Sequence, residues 1–132
     1  MKLLLDTHAL LWAIGKTNEL SQKVLHEIKN PANDVLVSAV SLWEIALKQS
    51  IGKLVVDFDV MNIPDYCSQM GFDLIPLDPA DALHSLQLSS KDNHKDPFDR
   101  MLIYQCITSK YILISKDEKM AMYQEDGLEY MW

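Results

Sequence analysis

Short apolar runs alternate with longer segments of helical pattern along the whole chain. Lys2 to Leu5 is an apolar run stopped by Asp6, and the mainly apolar segment His8 to Ile14 follows it to Gly15. This reads as a strand and then a helix with a glycine cap. Ser21 can cap a helix running to about Lys29, closed by Asn30 and Pro31. The next strand is Asp34 to Val37. Ser38 or Ser41 can cap the helix after it, which carries Leu42, Ile45, Ala46 and the stem of Gln49 toward Gly52.

A helix from about Ile63 to Met70, stopped by Gly71, leads into a third strand, Phe72 to Ile75, ended by Pro76. Asp78 and Pro79 start a helix expected to reach about Leu88, and a polar loop, Ser89 to Lys95, follows. Asp96 and Pro97 start another helix ending near Thr108, and Tyr111 to Ile114 is the fourth strand. A short helix near Glu118 to Tyr123, a turn at Gly127 and a last strand, Leu128 to Met131, complete the pattern. Strands separated by helices require crossovers, hence a mostly parallel sheet covered on both faces. The predicted fold class is α/β, a three-layer α/β/α sandwich, as one domain over residues 1–132.

Composition narrows the function. A chain 48% hydrophobic and 23% charged is globular, and no apolar stretch approaches the ~20 residues of a membrane span. The N-terminus lacks the pattern of a signal peptide, so a cytoplasmic location is expected. Cys67 and Cys106 form neither a C-x-x-C pair nor a zinc spacing and are expected as reduced core residues. A formal net charge of -7 argues against gripping nucleic acid over a broad basic face. It leaves open a phosphate held through metal ions.

In a parallel sheet, ligands bind at the carboxyl ends of the strands. Asp6 ends the first strand, Asp117 follows the fourth, and Glu44 lies early in the helix after the second. Asp96 and Asp99 open the helix leading into the fourth strand, where the Ser89 to Lys95 loop must bring them to the same edge. Each acid also has an ordinary structural role open to it: a turn for Asp6, a capping box with Ser41 for Glu44, and helix caps for Asp96 and Asp117. Asp99 would sit where a carboxylate favours the helix dipole. Crowded acids repel one another unless a cation joins them, and oxygen ligands without Cys or paired His point to Mg2+ or Mn2+.

Four segments stand in register along the chain: Leu3-Leu4-Leu5-Asp6-Thr7-His8-Ala9-Leu10-Leu11-Trp12, Val37-Ser38-Ala39-Val40-Ser41-Leu42-Trp43-Glu44-Ile45, His94-Lys95-Asp96-Pro97-Phe98-Asp99-Arg100-Met101-Leu102-Ile103 and Leu113-Ile114-Ser115-Lys116-Asp117. Together they resemble the PIN-domain family, in its VapC-like toxin branch. The resemblance implies strand order 3-2-1-4-5 and a metal-dependent endoribonuclease, with RNA hydrolysed by metal-activated water on one or two ions of Mg2+ or Mn2+. Asp6, Glu44, Asp99 and Asp117 match the family's acid quartet, Glu44 acting directly or through water, with Asp96 a secondary ligand. Ser115 stands where many relatives carry Thr. Cys106 replaces a commoner small residue, and Ser89 to Asn93 lacks the usual prolines.

Ser115, Arg100, Lys116 and His8 are the candidate supporting or substrate-binding residues. Arg100 is the only arginine, able to hold phosphate or a neighbouring acid bidentately. Lys48, Lys53 and Lys95 could also guide a backbone, while His94, Trp12 and Trp43 read mainly as packing or partner-facing residues. The resemblance further implies a homodimer and a cognate antitoxin, with DNA bound only through that partner. A phosphatase of the haloacid-dehalogenase type would want Asp at position 8, and a receiver domain would want Asp where Pro76 follows Ile75. The rival from another class is a catalytically silent module that only docks a partner.

Overall fold

The computed structural model describes all of residues 1–132. Its strands are β1 (Lys2–Leu5), β2 (Asp34–Ser38), β3 (Asp73–Ile75), β4 (Ile112–Ile114) and β5 (Glu129–Met131). They form one sheet in the order β3-β2-β1-β4-β5, with every neighbouring pair parallel. The helices are α1 (Thr7–Gly15), α2 (Gln22–Lys29), α3 (Ala39–Ser50), α4 (Ile63–Met70), α5 (Pro79–His84) and α6 (Pro97–Ser109). The three-layer α/β architecture and the strand order are those expected. After β1 the chain moves outward through β2 and β3, then returns to β4 on the other side, so the order reverses between β1 and β4. A crevice opens at such a point.

Alternation along the strands divides the core. Leu3, Leu5, Val35, Val37 and Ile114 pack with Leu10, Val24 and Ile63 of α1, α2 and α4. Leu4, Leu36 and Leu113 pack on the opposite face with Leu102, Ile103 and Cys106 of α6. Both sides of β1 are therefore buried, which is why its three leucines run without a polar interruption. Helix α3 contributes Ile45 to one core and Val40 to the other. Cys67 and Cys106 are free and buried, one in each core. No helix is long and apolar enough to cross a membrane.

Several expectations need correction. Gly15 does not act as a left-handed cap; it is the last residue of α1, and a Cβ there would meet the Phe58 ring at 3.2 Å. Close packing of Phe58 accounts for it. Between the two serines it is Ser38 that caps α3, accepting the Val40 N–H, so Ser41 lies within the helix and forms no capping box with Glu44. The inner face of α3 is then Val40, Ser41, Glu44 and Ile45, while Ala46 and Gln49 are exposed. Helix α5 stops at His84 and passes into a 3-10 turn, Ser85–Gln87, short of Leu88. The segment after β4 is a 3-10 helix, Glu118–Asp126, longer than the short helix expected.

Candidate active site

β1 hands over directly to α1 at Asp6. The Asp6 N–H donates to the Ile114 carbonyl at 3.0 Å, tying the end of β1 to the end of β4. Its carboxylate caps α1, accepting the Ala9 N–H at 2.8 Å, so the side chain has a fixed direction. Burial pushes the Asp6 carboxyl above its ordinary value; the Ser115 hydroxyl, the Ala9 N–H and His8 oppose that, and the charge of Glu44 reinforces it. Ser115 is fully buried, and its hydroxyl accepts the Asp117 N–H at 3.2 Å. Asp117 itself is exposed and caps the 3-10 helix through the Lys119 N–H at 2.9 Å.

Glu44 enters from the second turn of α3 and is buried. Thr7, the residue after Asp6, donates its hydroxyl to Glu44 Oε1 at 2.6 Å, and Ser41 Oγ lies 3.2 Å from the same threonine oxygen. The other carboxylate oxygen pairs with Lys48, one turn along α3. Lys48 is consequently held above its ordinary value, first by that hydrogen bond, with Asp96 and Asp99 adding to it. Both oxygens of Glu44 thus have partners.

Asp96 caps α6, accepting the Asp99 N–H at 2.9 Å. Asp99 is pushed up to about 6, above all by burial and then by the like charge of Asp96, with Asp6 and Glu44 contributing and His94 opposing. Acids from β1, α3 and α6 therefore share one field. His94, Asp99 and Asp117 each offer an atom able to bind a metal, all within 4.8 Å of one another. His94 Nε2 lies 3.2 Å from Asp99 Oδ2.

A model of the PIN domain matches residues 3–125. The chain belongs to the PIN-domain family. Among solved structures it is similar to VapBC2 from Rickettsia felis bound to a DNA fragment from its promoter, with 16% identity, a TM-score of 0.72, and coverage of 100% of this chain and 99% of that one. It is likewise similar to VapBC-1 from nontypeable Haemophilus influenzae, at 14% identity and a TM-score of 0.70 over 99% of this chain and 97% of that chain. DNA-bound VapBC from Salmonella typhimurium gives 15% identity and a TM-score of 0.64 over 99% and 97%. At such identities the likeness is one of fold. No curated protein matches the sequence significantly.

In this PIN domain the carboxylates of Asp6, Glu44, Asp96 and Asp99 fall near enough to shift one another or a shared neighbour, and Asp117 is brought beside Asp99. Their oxygens, with one imidazole nearby, suit a hard divalent ion; the two thiols are in the cores. Burial and mutual repulsion hold Asp6 and Asp99 at raised values, a conflict a cation relieves. Arg100 is directed elsewhere: its guanidinium donates to the Leu88 and Ser89 carbonyls and to the Tyr123 hydroxyl. Lys116 Nζ lies 5.7 Å over the Trp12 ring, against which exposed His8 is tilted at 5.6 Å. Sequence reasoning missed Thr7, the Lys48 pairing and Tyr123. The four-residue spacing of Glu44 and Lys48 was a usable signal; Tyr123 offered none.

Proposed function

We propose that this PIN domain is a metal-dependent endoribonuclease, the toxin of a toxin-antitoxin pair, acting in the cytoplasm. The observation that carries this reading is the convergence of buried, mutually repelling carboxylates where the strand order reverses. Asp6, Asp99 and Asp117 would hold Mg2+ or Mn2+, one or two ions, with Asp96 secondary. A divalent ion in such a site polarises a phosphoryl oxygen and lowers the pKa of water. Glu44, already held by Thr7 and Lys48, would assist directly or through a water. Lys48 pairs with its second oxygen, and Ser115 holds the backbone of Asp117 in place. Lys116 and His8, set around Trp12, supply cationic and aromatic surface for an RNA strand entering from the α1 side.

The three solved structures compared above are of VapBC, two of them with DNA. By extension this chain pairs with an antitoxin of its own and reaches DNA through it, an assignment that suits a net charge of -7. A homodimer accompanies this reading, supported by apolar side chains left exposed on α3 and α5.

The test is incubation of the purified protein with a pool of structured RNAs in Mg2+ or Mn2+, in chelator, and with Asp6→Asn. Cleavage should require the metal and fall at least about a hundred-fold in the variant, the loss of ~3 kcal/mol of transition-state stabilisation. Intact RNA under every condition, or equal cutting in chelator, overturns the proposal and leaves a binding module.

A further inference from the structure

We propose that Arg100, Tyr123 and His94 form a one-way hydrogen-bond relay that fixes the His94 imidazole as its Nε2–H tautomer and so aims the Asp99 carboxylate into the acid cluster. This rests on the reading of Asp99 as a metal ligand, and it makes His94 a positioning residue.

The direction of the relay follows from what each group can give. A guanidinium has five N–H donors and no acceptor. Arg100 Nη2 donates to the Leu88 carbonyl at 3.0 Å, and Nη1 donates to the Ser89 carbonyl at 3.0 Å and to the Tyr123 oxygen at 3.1 Å. The Tyr123 oxygen is an acceptor there, which leaves its single proton for another partner. His94 Nδ1 is 2.8 Å away, whereas the His94 carbonyl is at 3.5 Å. The phenol therefore donates to Nδ1, and a neutral imidazole accepting at Nδ1 carries its proton on Nε2. That nitrogen faces Asp99 Oδ2 at 3.2 Å.

One consequence separates two roles for the same histidine. A ring nitrogen of His94 lies within 4.8 Å of ligand atoms on Asp99 and Asp117, and Nε2 is the one that faces Asp99, so it could be taken for a nitrogen ligand. With its proton in place it has no lone pair to offer a metal. It serves as a donor to a ligand, the position from which partners of metal-binding carboxylates orient them. The relay is also anchored at its far end. Lys91 pairs with Glu125 and Asp126, Ser89 donates to Asp126, and the bridge between Lys91 and His94 closes the loop. His94 is buried, and the Tyr123 ring meets it edge-on at 5.4 Å.

The experiment uses the full chain, 15N-labelled, with the ring nitrogens of His94 read by long-range proton–nitrogen NMR in chelator and then with Mg2+ alone; Mn2+ affinity is measured by calorimetry. The wild type should show the Nε2–H pattern, retained on adding Mg2+. Tyr123→Phe should lose the single tautomer and weaken Mn2+ binding about ten- to a hundred-fold. His94→Gln, which restores an N–H donor, should bind Mn2+ far better than His94→Ala. An Nδ1–H or doubly protonated ring in the wild type, loss of the Nε2 proton when Mg2+ binds, or equal behaviour of the Gln and Ala variants overturns the relay. Should Tyr123→Phe fail to fold, the wild-type spectrum decides alone. If neither ion binds, the nuclease reading falls while the tautomer still tests the relay; metal binding as expected without RNA cleavage does the same.

Discussion

Asp99 shows how far the site is from being optimised for stability. It is the third residue of α6, where the helix N-terminus favours a negative charge by roughly 0.3–1 kcal/mol. Yet its carboxyl is pushed up to about 6, by burial first and Asp96 next. A rise of that size is worth up to ~3 kcal/mol, so desolvation and repulsion win over the dipole. A carboxyl with a folded value above its unfolded one binds its proton more tightly in the native state. Its penalty is therefore complete above about pH 6 and relieved as pH falls toward 3.8. In chelator, Asp99→Asn should be more stable than wild type by about 1–2 kcal/mol at pH 7.5, since Asn can still accept from His94, and the gap should narrow steadily as pH falls toward about 4. Added Mg2+ should reverse the order, because only the wild type gains a ligand for its charge. Thermal melts across pH check both halves; a variant less stable than wild type in chelator at pH 7.5 would mean the acids are not in conflict.

At the scale of elements, three helical segments end in the same wrap, with the second residue past the helix returning its N–H to the last turn. Phe72 reaches the Cys67 carbonyl, Leu128 reaches Tyr123 and Tyr111 reaches Cys106. The residue between is left-handed in each case: Gly71, Gly127 and Lys110, the last at φ 58. A side chain in that region is strained by roughly 1–2 kcal/mol, part of which glycine's larger unfolded-state entropy cancels. Lys110→Gly should therefore stabilise the protein by about 0.5–1 kcal/mol, a rise of a few degrees in a calorimetric melt. An unchanged or lower melting temperature would count against the cap geometry.

These ends also indicate what was legible beforehand. Gly71 and Gly127 marked their turns, but Lys110 gave no sign, and Gly15 marked a close packing contact with Phe58 instead of a cap. The strands were readable because burial on both faces leaves unbroken apolar runs, as at Leu3 to Leu5. The 3-10 segments lack a repeating apolar face and were missed or shortened. For the site, strand ends and helix starts brought the acids together by topology alone. The pairing of His94 with Tyr123 spans 29 residues and depends on a 3-10 helix, so no local pattern announced it.

For the molecule as a whole, α3 and α5 carry apolar side chains that the fold leaves uncovered. Trp43 and Leu47 on α3 and Ile51 at its C-cap recur every four residues and are 64%, 40% and 57% exposed. Leu83 and Leu86, at 72% and 90%, stand on α5 and the turn after it. Both helices pack against α6. Monomers seldom leave so much apolar surface together, and burying each such side chain fully gains about 1.5–3 kcal/mol. A second copy related by a two-fold axis would bring the same stripe against itself, the commonest closed arrangement. Light scattering after size exclusion should then give a mass near twice 15.1 kDa. Leu47→Glu should shift it to the monomer with circular dichroism unchanged. Val55→Glu, at a position 88% exposed on the cleft beside α1, should leave the dimer intact. A wild-type protein that runs as a monomer at every concentration would remove the second copy from the model of function and leave that stripe to a different partner.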